Sequence, residues 1–460
     1  MTKNADDALD SVLYRVRDPQ LIPAKRYYDP KFFEFEKHKL WPHVWQMACR
    51  LEEIPEVGDY VEYTIFERTV VVVRTKTGVK AFHNVCRHRG MKLTEGWGNC
   101  KIAGFVCPFH GWRYDLDGKN TFVFGRKIFS DDILDQAEIN LKACRVETWG
   151  GCAFINFDES TPPLRDCLGA VAEKLDVRNA EKLRSEWWYA SVVPTNWKVA
   201  VEAFLEMYHL MRTHPEVHRM TPSAFAVQDR TGIFRNRTVT SNEAVNEAID
   251  YLANLSEGMG GLVHRREVAV MEKLREMDVP DDPLEATMAF YTRARQDIMD
   301  AGLARGLPMH DMHNAAENYP SMSNEFMFPN FFLLPMFGCM ASYRIRPLTP
   351  QTCLFEIWSL ILVPEGEAHV SPKEPRMLPH DSPKYPLIVR QDYHNMPMQQ
   401  RGLASGEIEY QRIGTLHEGA ISNFERLIDG YLAGLDSERL VRAGALVNGG
   451  SFQPIADLGF

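Results

Sequence analysis

The sequence predicts an α+β chain: antiparallel β-structure first, then a second antiparallel sheet with helices, interrupted by a helical insertion. Three observations carry this. Residues 59–86, "DYVEYTIFERTVVVVRTKTGVKAFHNVC", are rich in β-branched and aromatic residues with partial alternation, and "TKTG" supplies a turn between two strands. From about 241 to 316, Ala, Glu, Leu, Met and Arg recur at helix-compatible spacing. Strand signals then return in "EFMFPNFFLLPMFGCMASYRIRPL" and "QTCLFEIWSLILVPEG".

In chain order, β-structure is expected to continue to "GGCAFINFD", where "ESTPPLRD" breaks it and sets a boundary near Pro162 and Pro163. The expected division is an N-terminal segment 1–40 packing on the second domain, a β domain 41–162, and an α+β domain 163–460. Within the last, "DCLGAVAEKLDV" reads as helix and "EWWYASVVPT" as strand. Residues 196–213 contain neither Gly nor Pro and favour one helix. The insertion, about 241–316, breaks at "EGMGG", "VPDDP" and "RGLP". The tail from Tyr393 to Leu435 reads as helices broken at "RGLASGE".

Composition narrows the function classes. A chain of 460 residues, 45% hydrophobic, can bury a sizeable core in roughly two or three domains. A net charge of -10 argues against nucleic-acid binding, which needs clustered cations. The N-terminus lacks the basic start and apolar stretch of a signal peptide, and "FFLLPMFGCMA" is short and broken by Pro335 and Gly338. A cytoplasmic protein that does not span a membrane is expected. Nine cysteines, an odd number widely spread, point to reduced thiols, with Cys49, Cys100, Cys144, Cys152, Cys167, Cys339 and Cys353 as packing residues.

The remaining two cysteines stand in "NVCRHRGMKLTEGWGNCKIAGFVCPFHGW", as Cys86-x-His88 and Cys107-x2-His110. Two thiolates and two imidazoles suit a structural zinc or an iron-sulfur cluster, and ligand type alone does not choose. The usual zinc-finger spacing is absent. A second constellation lies in "NWKVAVEAFLEMYHLMRTHPEVH", where Glu202, Glu206 and His209, at spacings of four and three, would form one helical stripe. Burying such groups unpartnered would cost about 2 to 7 kcal/mol each, so a metal or a hydrogen-bond network is required. Pro215 biases His214 out of helical geometry, which lets the helix end turn it toward His209. Two histidines need a carboxylate for a facial triad. Spacing leaves that carboxylate open, with Asp381 and Glu202 as candidates and His218 as a rival imidazole.

"CRHRG" and "CPFHGW" resemble the signature of the Rieske [2Fe-2S] domain in the Rieske non-heme iron oxygenases. The resemblance implies that Cys86 and Cys107 hold one iron and His88 and His110 the other, the neutral imidazoles raising the potential. It implies a catalytic domain of the helix-grip type, with a mononuclear Fe(II) held by His209 and His214 of E-x-x-H-x4-H. The third ligand would be Asp392 of "VRQDYHNM", at the start of a C-terminal helix. Glu206 would bridge His209 to His110 of a neighbouring subunit. Ring-hydroxylating members usually carry Asp there; Glu is similar to the branch acting on quaternary ammonium compounds, and Ala203 replaces a common Asn.

The implied activity is that of a terminal oxygenase, which takes electrons from a separate NAD(P)H-dependent flavin/iron-sulfur reductase, with or without a ferredoxin. It would act with O2 on a small organic substrate, as a homotrimer with or without a β-subunit. Phe204, Leu205, Met207, Leu210, Met211 and "FMFPNFFLLPMF" favour a hydrophobic, aromatic substrate. The alternative is monooxygenation of a quaternary ammonium compound by N-demethylation or C-N cleavage, which needs an aromatic cage.

Overall fold

The computed structural model describes residues 5–219, 222, 238–321, 324–451 and 453–460. The N-terminal segment supplies β1 (Leu21–Pro23) and helix α1 (Pro30–Lys39), the latter capped by the Asp29 side chain on the Lys31 N–H. There follow β2 (Gln46–Arg50), β3 (Asp59–Ile65), β4 (Arg68–Thr75), β5 (Gly78–His83) and β6 (Trp97–Asn99). Three short strands, β7 (Phe105–Val106), β8 (Arg113–Tyr114) and β9 (Asn120–Phe122), form their own antiparallel sheet; β10 (Ala143–Trp149) and β11 (Cys152–Asn156) complete the region. The larger sheet runs β2-β11-β10-β5-β4-β3-β6, antiparallel throughout.

The unbroken valine run of β4 has a packing explanation. Val70 and Val72 point into the large core of the protein, whereas Val71 and Val73 point into a separate core with Cys86, Cys107, Trp112 and Tyr114. A strand buried on both faces loses polar alternation because neither face meets water.

After α2 (Leu164–Leu168) and α3 (Ala170–Asp176), β12 (Arg184–Val193) opens the second sheet. Residues 196–213 do not form the single helix that their composition favours. The chain makes α4 (Trp197–Glu202), a turn, α5 (Leu210–Thr213) and α6 (Pro215–Arg219). The Glu206 carboxylate accepts hydrogen bonds from the Tyr208 and His209 N–H groups, and such local side-chain bonds compete with the helical ladder. Glu202, Glu206 and His209 are therefore not one helical stripe.

Helices α7 (Ser241–Met259), α8 (Arg265–Met271), α9 (Pro283–Leu303) and α10 (Met312–Asn318) break where the Gly and Pro signals stand. The second sheet resumes with β13 (Glu325–Met327), β14 (Phe331–Pro335), β15 (Met340–Thr349) and β16 (Thr352–Ile361), and ends with β17 (Arg376–Met377). Its order is β13-β14-β15-β16-β12-β17. The pairing is antiparallel except at one edge, where β17 lies parallel to β12. Arg344 and Glu356, opposite each other on β15 and β16, form a buried ion pair at 2.7 Å, and Arg344 also donates to the Met47 and Ala48 carbonyls. That bond set ties the second sheet to β2 of the first.

Helix α11 (Leu387–Ala404) starts five residues before Asp392, so Asp392 lies in its second turn and not at its start. Strand β18 (Tyr410–Arg412) pairs with β1, and α12 (Gly419–Ala433) and α13 (Ser437–Val447) close the chain, α13 lying beyond the expected helical tail. Between the N-terminal segment, α4 and α12 lies a buried set of charges. Arg26 pairs with Glu425 (2.6 Å) and Asp429 (2.5 Å), Lys198 with Glu36 (2.7 Å), and Tyr27 donates to Glu202 (2.7 Å). Glu202 thus belongs to this network, where burial and the nearby Glu425 push its carboxyl well above the usual range. Among the described residues no helix is long and apolar enough to cross a membrane.

Candidate functional site

The Cys86 and Cys107 loops are built alike. In the first, the Cys86 N–H donates to the Met91 carbonyl (2.8 Å) and the Gly90 N–H to the Cys86 carbonyl (3.0 Å). In the second, the Cys107 N–H donates to Trp112 (2.8 Å) and the Gly111 N–H to Cys107 (3.0 Å). Gly90 and Gly111 adopt φ of +76° and +72°, a region that costs a side-chain-bearing residue about 1 to 2 kcal/mol. Two matched turns, each opened by a cysteine and closed by a left-handed glycine, present one thiol and one imidazole apiece.

The four side chains converge. Cys86 and Cys107 are buried, the His88 and His110 ring centroids stand 4.7 Å apart, and His88 stacks on Trp112 at 4.9 Å. Tyr114 contacts the Cys86 sulfur at 3.3 Å and accepts from the Arg87 N–H, which anchors the first loop to β8. Burial pushes the Cys86 thiol above the ordinary cysteine range, so a thiolate there calls for a compensating cation. Burial, with His110 and Arg89 nearby, lowers the His88 pKa, and His88 Nδ1 is a buried nitrogen without a hydrogen-bond partner among the described residues. A neutral imidazole with an unused nitrogen beside two thiols fits a cluster with mixed sulfur and nitrogen ligands.

The second constellation comes from two distant parts of the chain. The α4–α5 turn and α5–α6 junction carry His209 and His214, whose ring centroids are 5.2 Å apart, and α11 carries Asp392. Asp392 Oδ1 lies 2.9 Å from His214 Nε2 and 3.8 Å from His209 Nε2; one ligand atom from each residue falls within 4.8 Å of the others. His214 and Asp392 are buried, and His209 is the more open member. Two imidazole nitrogens and one carboxylate, converging from one side, fit a facial triad for a divalent metal. His218, Asp381 and Glu202 are not part of this grouping among the described residues.

Each histidine is held through its other nitrogen. His209 Nδ1 meets Glu206 Oε1 at 2.5 Å. Burial disfavours a charged His209, but the Glu206 hydrogen bond and the Glu206 and Asp392 charges outweigh it, so its pKa is raised. His214 Nδ1 meets Gln391 Oε1 at 2.7 Å, and the Gln391 amide donates to Glu216 Oε2 at 3.1 Å. Both rings therefore turn Nε2 toward Asp392. Sequence reasoning missed Gln391 and Glu216. The only available signal was that Gln391 adjoins the matched Asp392, and adjacency on a helix does not place two residues on one face.

A model of the ring hydroxylating alpha subunit catalytic domain matches residues 180–434, and one of the Rieske [2Fe-2S] domain matches residues 44–123. The glycine betaine monooxygenase oxygenase subunit of Pseudomonas aeruginosa UCBPP-PA14 is 34% identical over 207 residues, covering 45% of this chain and 47% of that protein. The carnitine monooxygenase oxygenase subunit of Escherichia coli K12 is 32% identical over 197 residues, 42% of this chain and 52% of its own. The alpha subunit of 2-aminobenzenesulfonate 2,3-dioxygenase from Alcaligenes sp is 34% identical over 198 residues, 42% and 50% of the two chains. The chain thus spans about half the length of the curated relatives it matches.

Solved structures share the fold at lower identity. A quaternary ammonium Rieske monooxygenase in complex with L-carnitine superposes with a TM-score of 0.58 at 19% identity, covering 90% of this chain and 97% of that one. Naphthalene 1,2-dioxygenase with indole bound gives 0.61 at 20% identity, covering 93% and 95%. The expected cofactors, a Rieske [2Fe-2S] cluster and a mononuclear iron, are those of these domains. With more than half of its length matched by the catalytic-domain model, the chain belongs to the ring hydroxylating alpha subunit family and carries a Rieske [2Fe-2S] domain ahead of its catalytic domain.

Proposed function

We propose that this protein is the terminal oxygenase of a Rieske system, with Cys86, Cys107, His88 and His110 as cluster ligands and His209, His214 and Asp392 as ligands of the mononuclear iron. The observation that carries the reading is the presence in one chain of the paired Cys/His loops and of a buried His/His/Asp trio with each imidazole oriented from behind. When bound, the cluster supplies one-electron transfer and the ferrous ion supplies O2 activation. The protein's part is to hold, orient and shield. Glu206 keeps the His209 Nδ1 proton, Gln391 keeps that of His214, and the aromatic layer of Phe204, Tyr343 and Phe355 excludes water beneath α4.

Electron entry in this reading is from a separate reductase, and electron transfer runs between subunits of a trimer in the cytoplasm. Glu206 of one subunit would meet His110 of the next. Both ends sit beside exposed aromatics, Tyr208 at 52% and Phe109 at 56% exposure, which supports contact across a subunit boundary. A quaternary ammonium compound is the preferred substrate class. The site carries Glu where ring hydroxylators usually carry Asp, and Glu206, Glu216 and Asp392 make its surroundings acidic, which suits a cation. The similarity to betaine and carnitine monooxygenases points the same way. An aromatic substrate is the second reading, favoured by the aromatic layer and by the similarity to an aminobenzenesulfonate dioxygenase.

The test is mass spectrometry of products formed under 18O2 from a panel of aromatic and quaternary-amine compounds, with both metal sites loaded. A demethylated or cleaved amine is expected together with an aldehyde that carries one labelled atom when it is trapped by reduction to the alcohol as it forms, before its oxygen exchanges with water. Two labelled atoms in a ring product would make the aromatic reading correct, and no label in either the trapped alcohol or a ring product would overturn the oxygenase reading. Asp392→Ala is expected to lose mononuclear iron and keep the cluster; full iron occupancy would remove Asp392 from the ligand set.

A further inference from the structure

A cavity of about 560 Å³ opens between α8, α9, the β14–β15 turn and the end of β16. Its volume is within the usual range for small-molecule sites, about 300 to 1,000 Å³. None of the seven residues proposed to hold the two metal centres lines it. Its floor includes Cys339 on the β14–β15 turn, four positions from Tyr343, on which Phe204 packs. At about 3.3 Å per residue the cavity is displaced roughly 13 Å along β15 from the aromatic layer beneath α4.

The lining has two chemical characters. The floor is apolar, with Ile298, Leu307, Met309 and Leu362. Arg266, Lys273 and Arg305, all exposed, stand around the mouth with no ion-pair partner among the described residues. In a chain of net charge -10, three cations outside any contact ion pair about one opening are a local reversal of sign. The lining carboxylate, Glu267, does not answer them. It is buried, and its oxygens accept from the Gly338 N–H (2.7 Å), the His264 N–H (2.9 Å) and the Cys339 thiol (3.1 Å). Glu186 meets His264 (3.5 Å) and the Ser359 hydroxyl (3.0 Å) and also lies within range of the Arg266 charge without a contact ion pair, which leaves Lys273 and Arg305 as the cations no acid answers among the described residues.

We propose that this cavity is a second small-molecule site, distinct from the iron centre, for an amphipathic anion: an aryl or long-alkyl carboxylate or sulfonate whose body lies on the apolar floor and whose head meets Arg266, Lys273 and Arg305. Arginine donors favour such heads because a guanidinium fork matches two oxygens at once. A cationic or neutral ligand of the same shape lacks that term. The proposal concerns binding alone and stands apart from the oxygenase reading.

The experiment is calorimetric titration of the metal-loaded protein with 2-naphthoate and, as the uncharged match, 2-naphthamide, at fixed ionic strength. The naphthoate is expected to bind at least tenfold more tightly. Arg266→Gln/Lys273→Gln/Arg305→Gln, three exposed positions, is expected to abolish that preference while leaving iron content and circular dichroism unchanged. Ala301→Trp, which fills the floor, is expected to weaken both ligands. Asp392→Ala is expected to leave naphthoate affinity as it was. Equal binding of the two ligands, a preference that survives the triple substitution, unaltered binding in Ala301→Trp, or loss of naphthoate binding in Asp392→Ala would each overturn the proposal, the last by placing the anion at the metal.

Discussion

Gln391 Oε1 lies 2.7 Å from His214 Nδ1, while the Gln391 amide nitrogen donates to Glu216 Oε2. A carboxylate only accepts, so Glu216 fixes which end of the amide faces His214. The oxygen in turn requires a proton on His214 Nδ1, which leaves the Nε2 lone pair directed toward Asp392. Gln391→Leu is expected to lower mononuclear iron affinity by roughly 10- to 100-fold with the cluster intact. Iron content after dialysis against a graded chelator series, with the cluster's visible absorption as internal reference, checks this.

Glu206 grips His209 from behind and caps the turn that follows α4. Glu206→Gln keeps one acceptor and loses the other, together with the charge. Both metal sites are expected to stay occupied while oxidation of the chemically reduced cluster in a single turnover slows by at least tenfold. An unchanged rate would show that this carboxylate has no part in connecting the centres.

Gly111 has no neighbour within 4 Å of where a Cβ would stand, so Gly111→Ala meets no clash and acts through backbone strain alone. Its φ of +72° makes that strain about 1 to 2 kcal/mol. Reduced cluster occupancy, with normal mononuclear iron, is the expected result, read as acid-labile sulfide per chain.

Arg26 has its guanidinium wholly buried between Glu425 and Asp429. Arg26→Met leaves two buried carboxylates uncompensated and is expected to cost about 3 to 5 kcal/mol. Adding Glu425→Gln and Asp429→Asn is expected to restore part of the loss. Urea-unfolding midpoints of the three proteins order them.

His310 is buried, and burial together with Arg178 pushes its pKa down to about 4. Its folded value lies below its unfolded one, so the unfolded chain takes up the proton first as pH falls. The associated stability is present above the unfolded pKa and erodes on acidification from there to about 4. Between about pH 7.5 and about pH 5.5 the contribution is about 1 kcal/mol. His310→Gln is expected to remove that component of the pH dependence, measured as the shift in urea midpoint between the two conditions.

Much of the fold was legible because its signals are local. Alternation and turn residues mark β3 to β5, Gly and Pro place the breaks of the insertion, and the spacing of Cys86, His88, Cys107 and His110 needs only two short loops to bring four candidate ligands together. The valine run of β4 shows where locality ends: its strand character is local, but that it feeds two cores depends on a second sheet far along the chain.

The sequence by itself marked the cysteine and histidine loops, most strand and helix classes, and His209 and His214 as candidate ligands. The tertiary structure brings Asp392, the carboxylate that the family resemblance implies, against His209 and His214, and it alone decided that Gln391, 177 positions from His214, orients it and that Glu202 belongs to the Arg26 and Glu425 network. The break in the helix expected over 196–213 is local by contrast: the Glu206 carboxylate caps the Tyr208 and His209 amides and competes with the helical bonds there. The long-range placements of Asp392, Gln391 and Glu202 share one physical reason. Periodicity reports the preferences of neighbouring residues, whereas the grouping and orientation of these side chains are set by residues that meet only once distant segments have packed together.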